Sequence, residues 1–112
     1  MDLRKIEKVL CEVALQYPES LRQEELDDVS RIGAHIHLAL SGREPSGLSI
    51  CDIGGGVGLF SPGCAALGFR NVYLADDFQD GVNQKVGESI FSIHEKYGVK
   101  VLKRDVVSQG LD

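Results

Sequence analysis

The chain has no close cysteine pair, no apolar run of membrane length and no basic surplus. Each absence excludes a class of function. The three cysteines, Cys11, Cys51 and Cys64, are odd in number and widely spaced, and His35, His37 and His94 lie far from them in the sequence. Structural zinc takes four ligands, usually as two close pairs, so no metal site is expected. The cysteines read as reduced thiols in apolar surroundings, as in the cytosol. Nothing approaches the roughly 18 consecutive apolar residues of a membrane span. The opening Met1-Asp2-Leu3-Arg4-Lys5 lacks the apolar run of a signal peptide, and a cytoplasmic location is the expectation. The net charge is −5, and the densest basic group is Lys100, Lys103 and Arg104. Phosphate backbones call for a basic patch, so this group reads as a solvated strand end and no nucleic-acid partner is expected.

What is present suits one small soluble domain. The 112 residues are 43% hydrophobic and 26% charged, an ordinary globular balance. A chain this short buries a smaller share of its surface than a full-size enzyme does. It contains no internal repeat and no low-complexity tract.

Residues 1–45 read as a helical segment. Leu3, Ile6, Val9, Leu10 and Val13 recur at helical spacing behind a candidate cap, Asp2. Tyr17-Pro18 should stop that helix, and Ser20 to Gln23 has the spacing of a capping box for a new start. Leu26, Val29, Ile32, Ile36 and Leu40 then form one stripe on a second helix. His35 and His37, two positions apart, fall on different faces and read as surface or packing residues.

Residues 46–112 change character. After the loop Ser41 to Gly47, the run Leu48 to Cys51 with Ile53 is a strand pattern. Val57 to Leu67 can be helical, with Gly68 as its C-terminal cap. Asn71 to Ala75 is a second strand ending at Asp76-Asp77, Asp80 to Tyr97 a helix ending at Gly98, and Val99 to Leu102 a third strand before Asp105. Strands alternating with helices predict an α/β fold with parallel pairing and right-handed crossovers: a partial doubly wound sheet of about three strands, preceded by N-terminal helices.

Chemistry concentrates at the turn after the first strand, Cys51-Asp52-Ile53-Gly54-Gly55-Gly56-Val57-Gly58. Ligands of open α/β sheets bind at the carboxyl ends of the strands, and glycines let a ligand approach backbone that no Cβ shields. A dinucleotide turn, Gly-x-Gly-x-x-Gly from Gly54, would need glycine where Leu59 stands. A phosphate-binding P-loop needs Gly-Lys, which is absent. The acid before the first glycine would repel a diphosphate, and it suits a ligand whose ammonium group lies close to a carboxylate. The alternative is a tight turn with an incidental buried acid.

Residues 48–108 resemble the first half of the class I (Rossmann-like) S-adenosylmethionine-dependent methyltransferases. Asp52 to Gly58 is similar to that family's motif I, with Gly54, Gly56 and Gly58 on its three glycines and Gly55 at a variable place. The resemblance implies S-adenosyl-L-methionine as cofactor, its methionine portion wrapped by this loop and its amino group bound by Asp52. It implies that Asp76, 18 positions after Gly58, binds the ribose hydroxyls, with Asp77 beside the adenine or facing solvent. Asp105 would accept from the adenine amino group, with Val106 against the ring. An acceptor's O, N or C atom would displace the methyl group in line; no general base is assigned, and the acceptor, small molecule or otherwise, is unidentified.

Two features depart from the family. Ser61-Pro62-Gly63 weakens the helix after the loop and predicts that it is shortened or shifted. The three strands are fewer than the family's seven, so a truncated domain is the expectation, completed by a C-terminal segment, a homodimer partner or another chain. A non-catalytic cofactor-binding or regulatory module is the alternative function. An aminopropyltransferase fits less well, because Val57 stands where that family carries an acid.

Overall fold

The computed structural model describes residues 2–53, 58–76 and 89–103. These form a mixed α/β fold: helices α1 (Leu3–Ala14), α2 (Glu19–Asp27) and α3 (Val29–Leu40), strand β1 (Ser49–Ile53), helix α4 (Phe60–Ala66), strand β2 (Asn71–Asp76), helix α5 (Ser89–Tyr97) and strand β3 (Lys100–Lys103).

Helix α1 starts as its sequence predicts. Asp2 adopts an extended backbone and its Oδ1 accepts the Lys5 N–H at 2.8 Å, satisfying one of the first-turn donors that a helix leaves open. Ile6, Leu10 and Val13 are fully buried on one face, and burying each such side chain contributes about 1.5–3 kcal/mol.

The second expected helix is two helices. Ser20 does not cap it: α2 begins at Glu19, and the Pro18 carbonyl takes the N–H groups of Leu21 and Arg22. The apolar stripe from Leu26 to Leu40 is then broken at Asp28, whose φ of −85° and ψ of −6° close α2 and open α3. Its N–H is shared between the carbonyls of Glu24 and Glu25, and its side chain pairs with Arg31 at 3.1 Å. Aspartate competes with the helix for such local bonds, which favours a break here.

The sheet is parallel, in the order β1-β2-β3. Ser49 pairs with Asn71 and Asp52 with Leu74, while Leu74 also pairs with Val101. Alternation puts Ile50, Val72 and Leu74 on one face, and these join the core cluster with the helices. The opposite face of β1 carries Ser49, Cys51 and Ile53, all exposed. Cys51 therefore lies open, against the expectation of apolar surroundings, whereas Cys64 is buried. Both described helix-to-strand turns use the same device. Gly68 and Gly98 take φ of +109° and +80°, and the following N–H groups of Phe69 and Val99 reach back to the carbonyls of Cys64 and His94, the pattern of a Schellman cap.

Helix α4 starts three residues later than Val57. A start at Val57 would put Pro62 in the helix interior, where it lacks the N–H and its ring meets the preceding turn. A start at Phe60 places Pro62 in the first turn, where a donor would be unused. Gly63 has a separate reason to be there. A Cβ at that position would lie 2.3 Å from Leu10 Cδ2 and 3.7 Å from Ile36 Cδ1, so glycine lets α4 approach α1 and α3. Among the described residues, no helix is long and apolar enough to cross a membrane.

Two outcomes follow from this packing. Gly63→Ala should gain helix propensity of about 1 kcal/mol yet lower stability by about 1–2 kcal/mol net, because Leu10 is fully enclosed; urea unfolding measures it. Glu25 is 4% exposed, and its carboxyl is pushed up from 4.5 to about 7 by burial and then by Asp28 and Glu24, with Arg31 opposing. A raised folded value means that the native state holds the proton longer. Its contribution is full below pH 4.5 and is lost as pH rises through about 7, on the order of 3 kcal/mol. Unfolding at pH 5 and pH 8 should show that decline, and Glu25→Gln should flatten it.

Candidate functional site

Asp52 stands at the next-to-last position of β1, on the helix-facing side that also carries Ile50. It is half-buried. Its register partner is Leu74, and Asp76 lies two residues further along β2 on the same side, about 8 Å away by strand geometry. Two carboxylates thus share the carboxyl end of the sheet, the end at which open α/β sheets take their ligands.

Helix α4 lays a hydroxyl on the first of them. Ser61, fully buried, donates through Oγ to Asp52 Oδ2 at 3.0 Å. Burial raises the Asp52 pKa above the ordinary aspartate value, and the like charge of Asp76 adds to that; the Ser61 bond and the His94 side chain act in the opposite direction. The same desolvated surroundings, with Asp52 contributing, push the Cys64 thiol up to about 12, so it stays protonated and is no nucleophile at neutral pH.

Gly58 is held from the link between α1 and α2. Tyr17, 1% exposed, donates its hydroxyl to the Gly58 carbonyl at 3.2 Å. Burial, and then Glu25, raise its pKa, so the phenol keeps its proton and remains a donor. Arg22 holds the backbone of the same residue, donating through Nη2 to the Tyr17 carbonyl at 3.1 Å.

A cavity of about 310 Å³ opens beside Asp52. It is lined by Asp52 of β1, Gly58, Phe60 of α4, and Arg31, Ile32 and His35 of α3. Of the residues the sequence singles out, Asp52 and Gly58 meet in this cavity, while Asp76 stands at the neighbouring strand end outside its lining. Gly54, Gly55, Gly56, Asp77, Asp105 and Val106 lie outside the described residues. Sequence reasoning missed Ser61 as a partner of Asp52, Tyr17 as a fastener, and the α3 wall. Arg31 and His35 are four positions apart, the spacing that puts two side chains on one helix face; that was the available signal.

No family model matches this chain, and neither a curated protein nor a solved structure matches it.

Ser61→Ala should raise the Asp52 pKa further, by removing a bond that favours its charged form. A carboxyl carbon-13 titration reads this directly. Leaving the half-buried carboxylate without its partner should also cost about 1–3 kcal/mol at neutral pH.

Proposed function

We propose that this chain is the cofactor-binding part of a class I, Rossmann-like S-adenosylmethionine-dependent methyltransferase, acting in the cytoplasm on an acceptor of unidentified structure. The observation that carries the reading is the position of Asp52: a half-buried carboxylate next to the end of the first strand of a parallel sheet, just before the glycine-rich sequence and on the wall of a cavity. The ligand's ammonium group answers that carboxylate, because a cation offsets the desolvation that raises its pKa.

Asp76 supports the reading independently. It ends β2 on the same face as Asp52, and an ionised carboxylate accepts two hydrogen bonds at once, as the vicinal hydroxyls of a ribose offer. Phe60 and Ile32 give the cavity an apolar surface on which a thioether or sulfonium chain can rest.

The bound cofactor, held by Asp52 and Asp76, would supply a sulfonium-activated methyl group to an acceptor lone pair, the carbon–sulfur pair going to sulfur. The protein's part is positioning and the exclusion of water. Ser61 orients Asp52, Asp52 anchors the amino group, and Tyr17 holds the turn at Gly58.

Isothermal titration of the chain with S-adenosylmethionine should give a saturable binding heat. Asp52→Asn should weaken it by about tenfold or more, as expected for the loss of a charge-assisted bond. Absence of heat at millimolar ligand would overturn the reading.

A further inference from the structure

Three helices precede the sheet, and they are not anchored equally. Helix α1 buries Ile6, Leu10 and Val13, and α3 buries Ile32, Ile36 and Leu40. Between them α2 buries one apolar side chain, Leu21, and one carboxyl, Glu25, with Leu26 half-buried. We propose that α2 is a proton-controlled flap: it stays closed while Glu25 carries its proton, and ionisation of Glu25 releases it together with the hold of Tyr17 on Gly58. The device belongs to the ligand-free chain, whatever the site binds.

With so few apolar anchors, the closed position of α2 depends on the state of Glu25. A neutral carboxyl can lie in a buried contact at modest cost, whereas a carboxylate there needs a partner. The cation that acts on it is Arg31 of α3, which is engaged by Asp28 at 3.1 Å. Asp28 and Glu24 oppose a charge on Glu25, and the Tyr17 phenol is its titratable neighbour in the link from α1. Helix α1, which also packs on α2, brings apolar residues to the core.

The ends of α2 add to this. Pro18 gives its start no side-chain cap, and no basic residue stands in its last turn. Glu24, Glu25 and Asp27 occupy that turn, with Asp28 as the cap. The C-terminal end of a helix carries the negative pole of its dipole, so ionising Glu25 adds charge where charge of that sign is repelled. The carboxyl titrates at about 7, which puts the change at neutral pH.

Release of α2 reaches Gly58 through Tyr17. Arg22 of α2 donates through Nη2 to the Tyr17 carbonyl at 3.1 Å, and the adjacent Pro18 carbonyl takes the N–H groups of Leu21 and Arg22. Tyr17 is thus tied to the first turn of α2, and its hydroxyl is the group bonded to the Gly58 carbonyl. Moving the helix draws that hydroxyl away.

Residue-resolved amide hydrogen exchange of the ligand-free chain, corrected for the intrinsic effect of pH on exchange, tests the device. Between pH 6 and pH 8 the α2 amides should lose about tenfold in protection, the change that a carboxyl moving from about 7 to 4.5 on release requires. Low urea should leave that exchange unchanged, the mark of a local opening, while α1 exchange should accelerate because it needs global unfolding. Tyr17→Phe should lower α2 protection by about two- to tenfold at both pH values, as the loss of one neutral hydrogen bond implies, and keep the pH dependence. Glu25→Gln, which preserves shape without charge, should protect α2 equally at pH 6 and pH 8. The flap is overturned if wild-type α2 protection is the same at both pH values, or if α2 and α1 share one protection and one urea response. It is overturned equally if Tyr17→Phe leaves α2 protected as in wild type. These outcomes decide the matter even if Glu25→Gln does not fold; a folded Glu25→Gln that keeps the tenfold change also overturns it.

Discussion

How closely α4 lies on α1 sets most of what happens at the carboxyl end of the sheet. The contact is made at Gly63, over a fully enclosed Leu10, with no room for a single methyl group. Ser61 is two residues upstream and on the same short helix, so the depth of α4 decides whether its hydroxyl reaches Asp52. Pro62 fixes where the helix can begin. A residue pair that is poor for helix formation, Pro-Gly, is therefore placed where it controls both the start of the helix and its closest approach. Interiors packed to crystal-like density transmit such constraints because they have little void to absorb them.

The N-terminal helices consequently belong to the site as well as to the core. Ile6, Leu10, Val13 and Ile36 share one cluster with Ile50, Val72 and Leu74 of the sheet. From the same layer Tyr17 reaches across to Gly58, and α3 supplies the far wall of the cavity. Several polar groups are buried along this seam, including Glu25, Ser61 and Asp52. Burying unpaired polar groups opposes folding, and each of these finds a different remedy. Ser61 pairs with Asp52, Glu25 holds its proton to higher pH, and Asp52 stays only half-covered beside an opening.

The broad α/β order was legible because it rests on strong local signals. Helical spacing around Leu10, short apolar runs at Ile50 and Val72, and glycines at 68 and 98 each point to one structure. What was not legible depends on competition between neighbours. The break at Asp28 lies inside an unbroken apolar stripe, and nothing in hydrophobic periodicity marks it; the deciding factor is backbone and side-chain bonding around one aspartate. The late start of α4 could be anticipated from Pro62 in direction but not in extent. The placement of Asp52 and Asp76 at the carboxyl ends of their strands was legible from the apolar runs that precede them. Arg31 and His35 were not, since they precede the turn by more than fifteen residues and reach it only through the packing of α3 on α4. His35 and His37 fall on different helix faces, whereas Arg31 and His35, four positions apart, share one.

The charge layout then narrows the ligand in a way that glycine count alone does not. Many phosphate sites combine a glycine turn with a helix start, so that combination is weak evidence by itself. Here the helix start is short and proline-bearing, and the nearest fixed charge is a carboxylate with a second carboxylate one strand away. A diphosphate at this strand end would meet the like charge of Asp52 and Asp76. Among the described residues that line the cavity, the guanidinium of Arg31 is already engaged by Asp28. A head group with an amine toward Asp52 would meet opposite charge there. The same arrangement explains why Asp52 should remain partly desolvated in the free protein: a carboxylate that water fully solvated would gain little from an incoming ammonium, whereas one raised in pKa by its surroundings gains in proportion to what burial withheld.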